Sequence, residues 1–191
     1  ILKNKSKKIF FNEDYNFGMK ENDFFYYEDQ IGALKLPKPN LLGLFQLENI
    51  STAIATSRQL TDYKITNEHI KNGITKIQSI ARLQEIKSGK LKKLVKNNQL
   101  FVDGSHNPLG AKALNQYLQS IKSNKHIILG MMSNKDHEKY MSYFEDIKSL
   151  TTIDIQNQQN SIKGSKLKNK IKNFKNIKCE TSIENAIKSI N

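Results

Sequence analysis

From Arg82 to Asn191, short apolar runs of strand length alternate with stretches whose apolar residues recur every three to four positions. No other feature limits the available folds as strongly. Leu100 to Asp103 reads as a strand, and Leu109, Ala113, Leu114, Tyr117, Leu118 and Ile121 follow as a helical stripe. Ile127 to Met132 reads as a buried strand, with Tyr140, Phe144 and Ile147 as the next helix. Thr151 to Ile155, then Leu167, Ile171 and Phe174, then Ile177 to Cys179, then Ile183, Ala186, Ile187 and Ile190 repeat the pattern. Strands alternating with helices predict right-handed crossovers, a mostly parallel sheet and helices on both faces, hence an α/β fold.

Within this alternation stands Asp103-Gly104-Ser105-His106-Asn107-Pro108. A parallel strand ending in such a loop would place a carboxylate, an imidazole and a carboxamide at the carboxyl edge of the sheet, beside the free N–H groups of a new helix. That combination suits a nucleotide.

Residues 1 to 36 carry short aromatic-rich runs, Lys8-Ile9-Phe10-Phe11, Asn16-Phe17-Gly18 and Asp23-Phe24-Phe25-Tyr26-Tyr27, which predict strands and hairpins. Pro37-Lys38-Pro39-Asn40 ends them. A helix is expected from about Phe45 to Leu60, and a second with Thr66 as N-cap, Glu68 in its first turn and Ile70, Ile74 and Ile77 on one face. The change of pattern divides the chain at residues 80 and 81.

The 31 Lys and Arg residues against 18 Asp and Glu give a formal charge of +13, which raises nucleic acid as a partner. The excess is interleaved lysine without arginine clusters or aromatic platforms, so no nucleic acid is expected. Arginine occurs only at Arg58 and Arg82. A single cysteine, Cys179, forms no internal disulfide and nothing has zinc spacing, and no run is long enough for a membrane span; a cytoplasmic protein is expected. The start at Ile1 without Met and the stop at Asn191 inside a helical pattern suggest a fragment.

Three segments in order, Leu42-Gly43-Leu44-Phe45-Gln46-Leu47-Glu48-Asn49, then Ala81-Arg82-Leu83-Gln84, then Asp103 through Pro108, resemble the folylpolyglutamate synthase and dihydrofolate synthase family of the Mur ligase superfamily. Asn134-Lys135-Asp136 resembles a fourth element of that family. Gly104, where the related peptidoglycan ligases more often carry Tyr, favours the folate branch. The resemblance implies that residues 1–80 are the tail of a P-loop-type central ATPase domain and residues 81–191 a Rossmann-like carboxy-terminal domain that closes over the nucleotide. No Gly-x-x-x-x-Gly-Lys is present. The P-loop and the magnesium ligands are therefore expected in an amino-terminal part, and the chain alone is not expected to be a complete catalyst. A further strand and helix are expected beyond Asn191, so the isolated chain should be poorly stable.

The implied reaction is ATP-dependent addition of L-glutamate to dihydropteroate or folate through an acyl phosphate, by a monomer using ATP and Mg2+. By the same resemblance Asn49 would contact the base or ribose and Arg82 the phosphates. Asp103 would meet the ribose or base side and His106 the phosphates as the catalytic residue, with Asn107 beside it in the nucleotide loop. Local alternatives stand next to these roles. Asp103-Gly104 reads equally as a turn in which Asp accepts backbone N–H groups and Gly supplies positive φ. His106 could cap the following helix, Asn49 could be a solvated helix position, and Asp136 is a ready N-cap. Where the family usually has Trp-Pro-Gly before Arg-Leu, this chain has Gln78-Ser79-Ile80-Ala81, so its linker turn must form without Gly or Pro. A non-catalytic nucleotide-binding module, another Mur-type amino acid ligase and a basic RNA-binding scaffold are the other functions the sequence leaves open.

Overall fold

The computed structural model describes residues 7–20 and 24–190. The first six residues of the aromatic-rich stretch, Asp23 and Asn191 lie outside the described residues. The chain divides into two compact units, Ile1–Ile80 and Ala81–Asn191.

In the first unit β1 (Tyr15–Lys20), β2 (Phe24–Asp29) and β3 (Gly32–Leu36) form an antiparallel sheet in that order. Cross-strand pairs such as Phe17 with Tyr27 and Phe25 with Leu36 fix the register. Because side chains alternate along a strand, Tyr15, Phe25, Tyr27, Leu34 and Leu36 share one buried face. Against it pack Ile50, Ile54 and Ala55 of α1 (Leu44–Ser57) and Ile70 and Ile74 of α2 (Asn67–Lys76).

The Lys8-Ile9-Phe10-Phe11 run, expected as a strand, is instead irregular and leads into a turn over residues 12–14. Asp14 Oδ2 accepts from the Phe10 N–H (2.7 Å), and only Phe11 makes an isolated bridge, to Tyr15. α1 ends at Ser57 rather than Leu60, its last residues tightening into turns in which the Gln59 and Leu60 N–H groups bond Thr56 and Ser57. Thr66 caps α2 as expected, with His69 supplying the reciprocal bond of a capping box where Glu or Gln is usual.

The second unit begins with β4 (Gln84–Glu85), the short α3 (Lys90–Leu94), β5 (Phe101–Val102) and α4 (Pro108–Gln119). Then come β6 (His126–Leu129), α5 (His137–Met141), β7 (Ser149–Ile153), α6 (Gly164–Lys170), β8 (Ile177–Glu180) and α7 (Ile183–Lys188). β6, β7 and β8 form the parallel sheet that the alternation predicts, in sequential order. Leu129, Leu150 and Ile177 from the strands share a core with Ala111, Tyr140, Met141, Phe144, Leu167 and Ile171 from α4, α5, α6 and their ends. α7 touches all three strands, and its buried Ala186 and Ile187 lie outside that cluster.

One expectation is corrected. β5 pairs antiparallel with β4 in a separate two-stranded ladder, Gln84 with Val102 and Glu85 with Phe101, rather than joining the parallel sheet. The loop at Asp103 therefore does not leave the carboxyl edge of a parallel strand among the described residues. In α4 the buried stripe is Ala111, Leu114 and Leu118, spaced three and four apart. Leu109, two positions before Ala111, turns to the opposite side and is exposed.

Candidate functional site

The Asp103–Pro108 loop is held from three directions within the second unit. Both oxygens of the Asp103 carboxylate accept backbone N–H bonds, Oδ1 from Ser105 (2.8 Å) and Oδ2 from Leu83 (2.8 Å). The Gly104 N–H donates to the Ala81 carbonyl (2.7 Å). Gly104 is not in the positive-φ region. Its glycine identity follows from close backbone approach instead, since a Cβ there would lie 3.3 Å from the Ala81 oxygen.

These bonds brace the segment that carries Arg82. Ala81 and Leu83, one on each side of it, have φ of 54° and 47°, a left-handed conformation that costs a residue with a Cβ roughly 1 kcal/mol or more. The turn expected to lack Gly is thus built by Ala81 in a glycine-like conformation. The Ala81 N–H also donates to Gln84 Oε1 (3.0 Å), and the Leu83 side chain is buried. Arg82 is exposed, with no hydrogen bond or ion pair among the described residues.

On the far side of the loop, Asn107 caps α4 by accepting the Gly110 N–H (2.8 Å), and Pro108 occupies the first helical turn, where a missing N–H costs nothing. His106 is therefore not the cap. It is exposed, and its Nδ1 lies 2.9 Å from the Gly104 carbonyl. A carbonyl only accepts, so Nδ1 is the donor in this bond.

Ser105 links this loop to the Asn134-Lys135-Asp136 turn. Its Oγ lies 2.9 Å from Oη of Tyr140, on α5. Asp136 caps that helix by accepting the Lys139 N–H (3.1 Å), and the first helical bond runs from the Tyr140 N–H to the Asp136 carbonyl. Buried His137 anchors the turn through Nε2 on the Met132 carbonyl (2.9 Å). Burial pushes the Tyr140 hydroxyl up to about 12, the Asp103 carboxylate adding to the rise while the Ser105 bond opposes it, so Tyr140 stays protonated at neutral pH.

Sequence reasoning did not find Tyr140 or Gly110 in these roles. Gly110 had a legible signal, a glycine inside a helical pattern: a Cβ there would sit 2.8 Å from Cβ of Ser105.

In the first unit Asn49 is exposed and donates from Nδ2 to the buried Gln46 (3.2 Å). The structure thus brings Arg82, Asp103, His106 and Asn107 onto one braced stretch of the second unit, and Asn49 belongs to the other unit. A cleft of about 500 Å³ opens beyond β7 and β8, but its Asp154 is spent on the Gly164 N–H (2.7 Å) and Lys163, contacts that hold its carboxyl below the usual range. Among the described residues no three His, Cys, Asp or Glu side chains gather to hold a metal ion, and no helix is long and apolar enough to cross a membrane.

Residues 82–191 match the Mur ligase family through its glutamate ligase domain. That is more than half of the chain, and the chain belongs to this family. It is 30% identical over 117 residues to folylpolyglutamate synthase of Lacticaseibacillus casei, a match covering 59% of this chain and 26% of that protein. It is similar in fold to FolC of E. coli in complex with DHPP and ADP, at TM-score 0.75 and 19% identity, covering 94% of this chain and 40% of the other. A bifunctional folylpolyglutamate synthase/dihydrofolate synthase from Yersinia pestis, complexed with AMPPNP and Mn ion, gives TM-score 0.72 at 18% identity with the same coverage. The chain spans about a quarter of the curated relative and two fifths of these solved structures.

Proposed function

We propose that this chain is part of an ATP-dependent ligase that adds L-glutamate to dihydropteroate or folate. A carboxylate of dihydropteroate or folate attacks the γ-phosphate, ADP leaves, and the glutamate amine then displaces phosphate from the acyl phosphate. Such phosphoryl transfer is catalysed by positioning and charge neutralisation more than by covalent chemistry. Arg82 supplies a planar fork for phosphate oxygens. His106, its Nδ1 engaged with the Gly104 carbonyl, lies beside the reacting phosphates as the catalytic residue. Asp103 belongs to the ribose side of the site, and Asn107 shapes the loop.

Residues 1–80 are then the tail of the central ATPase domain. The reaction uses ATP together with Mg2+. The protein acts in the cytoplasm as a monomer on small molecules.

The observation that carries this reading is that an exposed, unpartnered Arg82 lies on a segment hydrogen-bonded to the Asp103–Pro108 loop that carries His106, in a chain 30% identical over 117 residues to a folylpolyglutamate synthase. The test is glutamate ligation by the intact protein with ATP and dihydropteroate or folate, followed as ADP release. Arg82→Ala and His106→Ala should each lower turnover about 100-fold with thermal unfolding unchanged. Turnover unaffected by either change, or glutamate-independent binding of ATP with no ligation, would refute the assignment.

A further inference from the structure

We infer that Tyr140 is a positioning residue for His106: through its bond to Ser105, its hydroxyl fixes the loop residue that precedes the imidazole, and it acts on the reaction only by way of that loop. The inference rests on the proposal that His106 lies beside the reacting phosphates.

Ser105 is held on three sides. Its N–H donates to Oδ1 of Asp103 (2.8 Å), its Oγ lies 2.9 Å from Oη of Tyr140, and its Cβ is so close to Gly110 that a methyl group there would come within 2.8 Å of it. The Tyr140 contact differs from the other two because it comes from α5, 35 residues further along the chain. Tyr140 is rooted in the core. It is 4% exposed, its ring centre lies 5.4 Å from that of Phe144, and its N–H donates to the Asp136 carbonyl (2.9 Å).

A buried tyrosine needs a partner for its hydroxyl, and a core position that required volume alone would be filled by phenylalanine. Tyr140 spends that polar tip on Ser105, and the next residue is His106, exposed, with Nδ1 2.9 Å from the Gly104 carbonyl. The imidazole therefore stands between Ser105, tied to the core, and Asn107, tied as the cap of α4. A group held in place beside a reacting phosphate is worth more than a mobile one, since a misplacement of about 1 Å can cost about 100-fold in rate. Tyr140, being buried, meets no phosphate itself.

Glutamate ligation is measured in the intact protein and in the Tyr140→Phe, Ser105→Ala and double variants, each with and without His106→Ala. Tyr140→Phe removes one oxygen and keeps the ring, and Ser105→Ala keeps the Cβ against Gly110, so each variant guards against misfolding of the other. Each should lower kcat about tenfold and leave KM for ATP within about twofold; the double variant should lose no more than either alone, and neither should cost more than about twofold once His106 is Ala. In NMR spectra the ring 1H and 15N signals of His106 should shift in Tyr140→Phe while those of His126, on β6, stay in place. A lowered unfolding midpoint with kcat retained, a loss undiminished in the His106→Ala background, or unmoved His106 signals would overturn the inference. A wild-type protein that ligates no glutamate, or full turnover by His106→Ala, would overturn the proposed reaction and this inference with it, whatever the His106 signals do.

Discussion

A methyl group added at Gly110 would sit 2.8 Å from Cβ of Ser105, 3.6 Å from its Cα and 3.4 Å from Oδ1 of Asn107. Non-bonded carbons rest at about 3.5–4.0 Å, so Ser105 must retreat by at least about 0.7 Å or α4 must lift. Either movement strains the 2.9 Å bond from Ser105 to Tyr140 and the 2.8 Å cap from the Gly110 N–H to Asn107. Gly→Ala in a helix contributes up to about 1 kcal/mol in its favour, and overpacking costs about 1–3 kcal/mol.

Gly110→Ala should therefore destabilise the protein by about 1 kcal/mol and lower the midpoint of thermal unfolding, followed by circular dichroism, by about 4 °C. Ser105→Gly removes the opposing Cβ. In that background the same Gly110→Ala change should become neutral or stabilising. A stabilising Gly110→Ala in the unaltered protein, as for an open helical glycine, would show that the loop and α4 are not in contact as described; so would an effect that Ser105→Gly leaves untouched.

Ala81→Gly should relieve the left-handed strain at φ 54° and, against the larger backbone entropy of Gly in the unfolded chain, raise stability by about 0.5 kcal/mol in denaturant titration; a loss of 1 kcal/mol would contradict the strain. Arg58 bonds Asp29 (2.8 Å) and the Gly32 carbonyl (2.9 Å) through Nη1, and both charged side chains are nearly buried. Arg58→Ala should cost about 3 kcal/mol by leaving the Asp29 carboxylate unpaired, an effect visible as a lowered denaturant midpoint. Burial raises the Tyr27 and Tyr140 hydroxyls above their ordinary values, Tyr140 to about 12. The folded state then keeps protons that the unfolded chain releases near pH 10, so their contribution is complete below that pH and is lost as pH rises toward 12. Unfolding midpoints at pH 8 and 11 should differ less in Tyr140→Phe than in the wild type.

Most of the second unit was legible because its strands and helices differ in period. Ile127 and Leu129 belong to a continuous apolar run, and Asp136 announces α5 by its capping chemistry. The partner of β5 was not legible. Phe101–Val102 is an apolar pair too short to carry a pairing preference, and what selects β4 is the Asp103 bond to Leu83, a contact across twenty residues with no local signature. Thr66 was readable as a cap, whereas His69 as its reciprocal partner was not, since imidazole rarely fills that position. Of the candidate site, residue types were readable and their use was not. Asp103 and Asn107 spend their side chains on backbone N–H groups, while His106 holds only a carbonyl through Nδ1.

The two arginines of this lysine-rich chain make the sharper argument. Lysine would meet any general need for positive charge, as it does at most basic positions, so each guanidinium calls for its own account. Arg58 has one inside the protein: a single Nη1 serves a carboxylate and a carbonyl at once, and its guanidinium carbon lies 5.8 Å from the Tyr27 ring centre. Arg82 has none. It is exposed, sits between two residues in left-handed backbone, and is braced by bonds from Asp103, Gly104 and Gln84 that satisfy its neighbours and not itself. Folding that spends strain and three hydrogen bonds on displaying an unpartnered cation is explained by a ligand that comes from outside, and an anionic one with oxygens spaced for a fork fits it best.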